Sequence, residues 1–222
     1  MNVADWACCA VTPVRAVPAN QVTNTAPTGA NNSYTIDNTV PTFTTLSSPV
    51  DTTTEDTEVQ ITFAELQAAG NEADTGGTGV NAFVVQAVST GTLNIGATSG
   101  TATAFAVGTN DVIDSANHAF WTPALNANGA ALSAFTVVAR DAAGNVSASP
   151  LQVASDVTAV NDPPVASASS VTTTEGVAFT FAVANFGFTD VEGNPLASIT
   201  VSNLSLAAGD TLTVDQGAGP WR

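Results

Sequence analysis

"LSAFTVVARDAAGN", Leu132 to Asn145, alternates apolar with small or polar side chains and then breaks on an Asp and a Gly-Asn pair. Phe135, Val137 and Ala139 fall two residues apart, so an extended chain puts all three on one face. Aromatic and β-branched residues suit such a half-buried pleated surface. The Asp-Ala-Ala-Gly-Asn that follows is turn chemistry: Gly tolerates positive φ, and Asp and Asn hydrogen-bond their own backbone. The stretch is expected to be a core strand and its exit turn.

The same punctuation recurs on both sides. Further strand candidates lie near 58–63, 81–88, 91–95, 102–107, 118–121 and 150–158, separated by clusters such as "ADTGGTG" and "NANGA". With 132–140 these make seven short strands in roughly 110 residues, the pattern of a β-sandwich. Phe63, Val85, Phe135 and Val137 are the expected core. "FAELQAAG", from Phe63, is the one helical signal, about one turn long. At 44% hydrophobic and 10% charged, the chain can bury a core and is not disordered by composition.

Charge narrows the function classes. Nineteen acidic residues against three arginines and no lysine give a net charge of -16. Nucleic-acid binding needs cations to displace counterions and is excluded on this balance. An anionic membrane surface is disfavoured for the same reason. Acidity of this kind either solvates a self-repelling surface or awaits divalent cations. Cys8 and Cys9 are adjacent, closer than disulfide geometry favours, and there is no Cys-x-x-Cys spacing. No apolar run reaches the ~18 residues of a membrane span. The N-terminal stretch lacks a basic region, and Pro13 interrupts its apolar run, so it reads poorly as a secretion signal.

A long repeat organises the chain. "VDTTTEDTEVQITF" (Val50–Phe63) resembles "SVTTTEGVAFTF" (Ser170–Phe181), and the shared TTTE recurs at an offset of 172 − 52 = 120 residues. That period is a whole domain, too long for a solenoid unit. The expected layout is an atypical or disordered segment 1–23, then a linker and the end of a preceding repeat at 24–39. A complete sandwich follows at 40–160, an Asn-Asp-Pro-Pro linker at 161–165, and the first half of a second repeat at 166–222, with about four strands.

Taken in order, "EDTEVQITF", "AFTVVARDAAGN", "AVNDPPV" and "FGFTDVEGNPLASITVSNL" resemble the cadherin-like, immunoglobulin-like β-sandwich repeats of large bacterial surface adhesins. The resemblance covers about residues 40–222. It implies an all-β fold of tandem repeats, one complete and one truncated, with Ca²⁺ at the joints. Carried over residue by residue, it implies metal ligands at Glu55 and Glu175 (the opening Glu of each repeat) and at Asn161 and Asp162 in the linker. Asp190 and Glu192 fill an Asp-x-Asp place, Asp74 is the first-repeat counterpart of Asp190, and Asp141 fills an Ala-x-Asp place. Ca²⁺ is a hard cation that takes carboxylate, amide and carbonyl oxygens together. Prolines 163 and 164 hold the chain extended beside the linker oxygens. A Leu-Asp-Arg-Glu ligand segment is replaced by "TPALNANGA", so weak affinity is expected.

Every one of these residues also suits an ordinary turn or a solvated strand. The implied function is a calcium-stiffened structural and adhesive repeat of a secreted or surface-anchored protein, working in cell adhesion or biofilm. Its partners would be neighbouring repeats of the same chain and cell-surface glycans. The alternatives are a carbohydrate-binding module using Trp121, and a calcium-independent immunoglobulin-like stalk. An enzyme is not expected: His118 is the sole histidine, no Gly-x-Ser-x-Gly elbow accompanies it, and it reads as an exposed residue at a strand end.

Overall fold

The structure, a computed structural model, describes residues 37–75 and 79–214. Segment 1–23 and most of the 24–39 linker lie outside the described residues. The chain divides into two compact units between Val160 and Asn161.

Unit 1 is built from two sheets. The first has the order β1–β9–β8–β3–β6, from β1 (Asp51–Thr54), β3 (Val80–Val88), β6 (Val112–Ile113), β8 (Gly129–Asp141) and β9 (Leu151–Thr158). The second runs β2–β7–β4–β5, from β2 (Val59–Ile61), β4 (Thr92–Gly96), β5 (Thr103–Ala104) and β7 (His118–Thr122). β1 lies parallel to β9, while β8 pairs antiparallel with both β3 and β9.

The alternation in β8 fixes which face is buried. Phe135, Val137 and Ala139 are fully buried, with Val88, Val85 and Phe83 as their register partners on β3. Ile61, Leu93, Ile95 and Trp121 close the core from the second sheet. Burying an aliphatic or aromatic side chain of this size contributes about 1.5–3 kcal/mol. A one-residue slip of β8 would forfeit all three at once.

Trp121 is completely buried, and its Nε1 donates to the Thr90 carbonyl at 2.7 Å. Its polar tip is satisfied inside the protein, which removes it as a sugar-stacking platform. The close turn at Gly91 serves this contact. Gly91 has φ +68°, and a Cβ there would sit 2.1 Å from the Thr122 carbonyl oxygen.

Three sequence expectations are corrected. Phe63 does not end a strand but begins helix α1 (Phe63–Ala69), two turns long. A capping box starts that helix: Thr62 accepts from the Glu65 N–H, and the Glu65 carboxylate accepts the Thr62 N–H at 2.7 Å. Leu66 anchors the helix to the core, and the Phe63 ring lies 5.5 Å from that of Phe83. His118 opens β7 half-buried, with Nδ1 enclosed, instead of standing exposed.

Unit 2 supplies the third correction. Among its described residues only two short strands pair, β10 (Val165–Ala166) and β11 (Phe188–Thr189), antiparallel with Val165 opposite Thr189. Of the about four strands expected at 166–222, none forms through the Thr172–Phe181 copy of the repeat. Its alternating Val177, Phe179 and Phe181 remain 59%, 39% and 48% exposed. Alternation specifies a strand only when a second layer covers the apolar face. Here Phe179, Phe181 and Phe186 cover one another instead, with ring centroids 5.2 and 5.8 Å apart.

Candidate metal centre

Asp141 ends β8 and opens the Asp-Ala-Ala-Gly-Asn turn. It is 1% exposed. Asn145 wraps back onto it: the Asn145 N–H donates to Oδ1 and its Nδ2 to Oδ2, both at 2.8 Å. Gly144, at φ +94°, makes the reversal possible. Asn145 Nδ2 also donates to the Asp37 carbonyl at 3.1 Å, so the turn holds the segment entering the unit.

Asp37 is 7% exposed, and its Oδ1 accepts the Thr39 N–H at 3.0 Å. Asp74 is half-buried, and its Oδ2 accepts the Gly79 N–H at 3.0 Å. Reciprocal backbone bonds between Thr42 and Ala73, at 2.7 and 2.9 Å, bind these two segments together. Carboxylate oxygens of Asp37, Asp74 and Asp141 thereby come within 4.8 Å of one another. A cleft of about 280 Å³, lined by Asn81, Arg140, Asp141 and the 142–144 turn, opens beside Asp141.

Three like charges at this spacing repel. The donor set is all oxygen and hard, which fits Ca²⁺ or Mg²⁺ and suits neither zinc nor copper. Two residues before Asp74, burial pushes the Glu72 carboxyl above the ordinary value of 4.5, with a backbone hydrogen bond acting the other way.

The structure thus brings together two of the residues singled out in the sequence, Asp74 and Asp141, and adds Asp37. Asp37 carried a readable signal, an Asp-Asn pair shortly before Pro41, of the same kind as Asn161-Asp162 before Pro163.

Four more of those residues meet in unit 2. Asp162 N–H donates to Glu192 Oε1 at 3.2 Å, and Asn194 Nδ2 donates to Asn161 Oδ1 at 2.9 Å. Asn194 N–H also donates to Asp190 Oδ1 at 2.8 Å. Asp190-Val-Glu-Gly-Asn194 repeats the device of Asp141-Ala-Ala-Gly-Asn145. In both, an Asn four residues after an Asp caps it and reaches the residues that enter the unit. The two remaining candidates stand elsewhere. Glu55 is 4% exposed and accepts from Asn128 Nδ2 at 3.1 Å and from the Val160 N–H. Glu175 is exposed, in the turn closed by the Val177 N–H on the Thr174 carbonyl at 3.1 Å.

The strand-dominated, two-sheet architecture of unit 1 fits an all-β, immunoglobulin-like fold class. Residues 161–222 match the family model described as bacterial Ig domain. No curated protein and no solved structure matches the chain. Bacterial Ig domains are structural repeats that usually occur in surface proteins and are typically not enzymes.

Proposed function

We propose that the chain is a calcium-stiffened structural repeat of a secreted or surface-anchored bacterial adhesin. The observation that carries this reading is the convergence of Asp37, Asp74 and Asp141. They come from an entry segment, a loop and a strand end, and local turn geometry requires no such meeting. In unit 1 these three residues would hold the ion. In unit 2 the ligands would come from Asn161, Asp162, Asp190 and Glu192. A bound Ca²⁺ supplies positive charge that cancels the repulsion and cross-links segments distant in sequence. Glu55 and Glu175 are assigned to neither set.

Stiffening follows from linkage. An ion that binds only the folded chain stabilises it by about 2.7 kcal/mol at one hundred times its dissociation constant, a condition near 10 mM for a site of about 10⁻⁴ M. Neighbouring repeats and cell-surface glycans are the partners such a stiffened array would present itself to. Among the described residues no helix is long and apolar enough to cross a membrane.

The test is a thermal melt of the whole chain in calcium and in chelator. The reading expects a higher midpoint in millimolar calcium, largely lost in Asp74→Asn. Identical melts in both conditions would leave a calcium-independent stalk, in which the Asp141–Asn145 turn is merely a rigid reversal.

A further inference from the structure

We propose that Asn128 is a site of spontaneous deamidation, and that its conversion opens the clamp that Glu55 places on the last residue of unit 1. Asn128-Gly129 is the single Asn-Gly step in the chain. Both residues are exposed, and Gly129 has no Cβ to shield its backbone nitrogen. That nitrogen attacks Asn128 Cγ and loses its proton as a cyclic imide forms. The Cγ–Nδ2 bond breaks, and ammonia leaves carrying that proton. Water then opens the ring to aspartate or isoaspartate. The only co-reactant is water.

The partner of this amide gives the reaction a consequence. Asn128 Nδ2 donates to Glu55 Oε2 at 3.1 Å, and more weakly to the Asn126 carbonyl at 3.4 Å. Glu55 is buried, and its Oε1 accepts the Val160 N–H. One carboxylate therefore ties the end of β1 to both the 126–129 loop and Val160. Deamidation exchanges the donor for a second carboxylate. Two carboxylates then face each other at hydrogen-bonding distance with no proton between them, and one is buried. Swinging Glu55 away relieves this and abandons the Val160 N–H. An isoaspartate also adds a backbone methylene at the start of β8, where the pairing with β9 already shifts register between Gly129 and Leu132. The proposal is independent of calcium, since Glu55 acts here only as a hydrogen-bond acceptor.

The experiment ages the whole chain at mildly alkaline pH. It follows peptide masses and the hydrogen exchange of the Val160 amide together. The expected result is the mass gain of an amide-to-acid conversion at Asn128. In that fraction the Val160 amide should exchange about tenfold faster, the loss of one charge-assisted hydrogen bond. Asn128→Gln closes its imide far more slowly and should age without change. Asn128→Asp should reproduce the fast exchange without ageing, whereas Asn128→Ala, which removes the donor without adding charge, should leave Val160 close to wild type. If Asn128→Asp does not fold, the aged wild-type fraction, folded before modification, carries the same readout. No mass gain at Asn128, or unchanged Val160 exchange once it is modified, overturns the proposal.

Discussion

Asp37→Asn separates charge from hydrogen bonding at the acidic centre. Asparagine keeps an oxygen for the Thr39 N–H, which Asp37 accepts at 3.0 Å, and removes one negative charge. The three carboxylates lie within 4.8 Å. At that spacing, with an effective dielectric of about 20, one like-charged pair repels by about 3 kcal/mol. Asp37 takes part in two pairs, which together amount to about 6–7 kcal/mol before further screening. The realised figure is smaller. Asp74 is half-exposed and screened by solvent, and Asn145 already offsets Asp141 with two donors at 2.8 Å. A gain of about 1–3 kcal/mol in the metal-free protein remains, which raises the melting midpoint by roughly 3–10 °C. Calcium is expected to narrow or reverse the ranking: wild type should gain about 2.7 kcal/mol at one hundred times its dissociation constant, and the variant should forfeit most of that. The assay is a pair of melts, in chelator and in millimolar calcium. A variant that melts lower than wild type in chelator and still keeps the full calcium gain would refute the reasoning, because the cluster would then be neither repulsive nor a cation site.

Two further predictions need no metal. Phe135→Ala should cost about 3–5 kcal/mol by chemical denaturation, since the ring is fully buried and β8 is fixed on both sides; a loss under ~1 kcal/mol would show that the site collapses around the deletion. Glu72→Gln should raise the melting midpoint at neutral pH and leave it unchanged near pH 4. The sign follows from burial, which holds the folded carboxyl above 4.5, so the native state binds more protons than the unfolded state between the two values. Stability therefore falls as pH rises through that window, and the amide removes the loss. A neutral-pH midpoint no higher than wild type would contradict this.

The strands were legible where two signals coincided. The 132–140 stretch has both a period of two and a turn at its end, and the structure extends it only to Gly129–Asp141. β1 and β6 lacked such signals. Asp51–Thr54 carries no apolar alternation, and its place comes from parallel pairing with β9, a tertiary fact. Val112–Ile113 is too short to show a period. At Phe63 two signals competed. Val59, Ile61 and Phe63 continue an alternation, while Thr62-x-x-Glu65 announces a helix start. The capping box prevailed because it satisfies backbone donors that an extended chain would have to pair elsewhere. In unit 2 the alternation of Val177, Phe179 and Phe181 was real, but alternation states only which face seeks burial, and the described residues supply no layer to bury it.

The acidic centre shows a different limit. Asp141 in a Gly-Asn turn and Asp190 in another were each readable as turn residues or as ligands, and the structure shows the turn chemistry at both. Asn145 and Asn194 cap their aspartates through backbone N–H groups at the same 2.8 Å. Turn chemistry uses part of a carboxylate's acceptor capacity and leaves the rest. What turn chemistry does not require is a second and a third acid from other segments. Asp37 and Asp74 reach Asp141 only because the Thr42–Ala73 bridge and the Asn145 amide draw an entry segment and a loop onto the end of β8. No spacing rule along the chain encodes that meeting. The choice between rigid reversal and cation site therefore rests on the two acids that the turn does not need, and Asp37→Asn tests one of them.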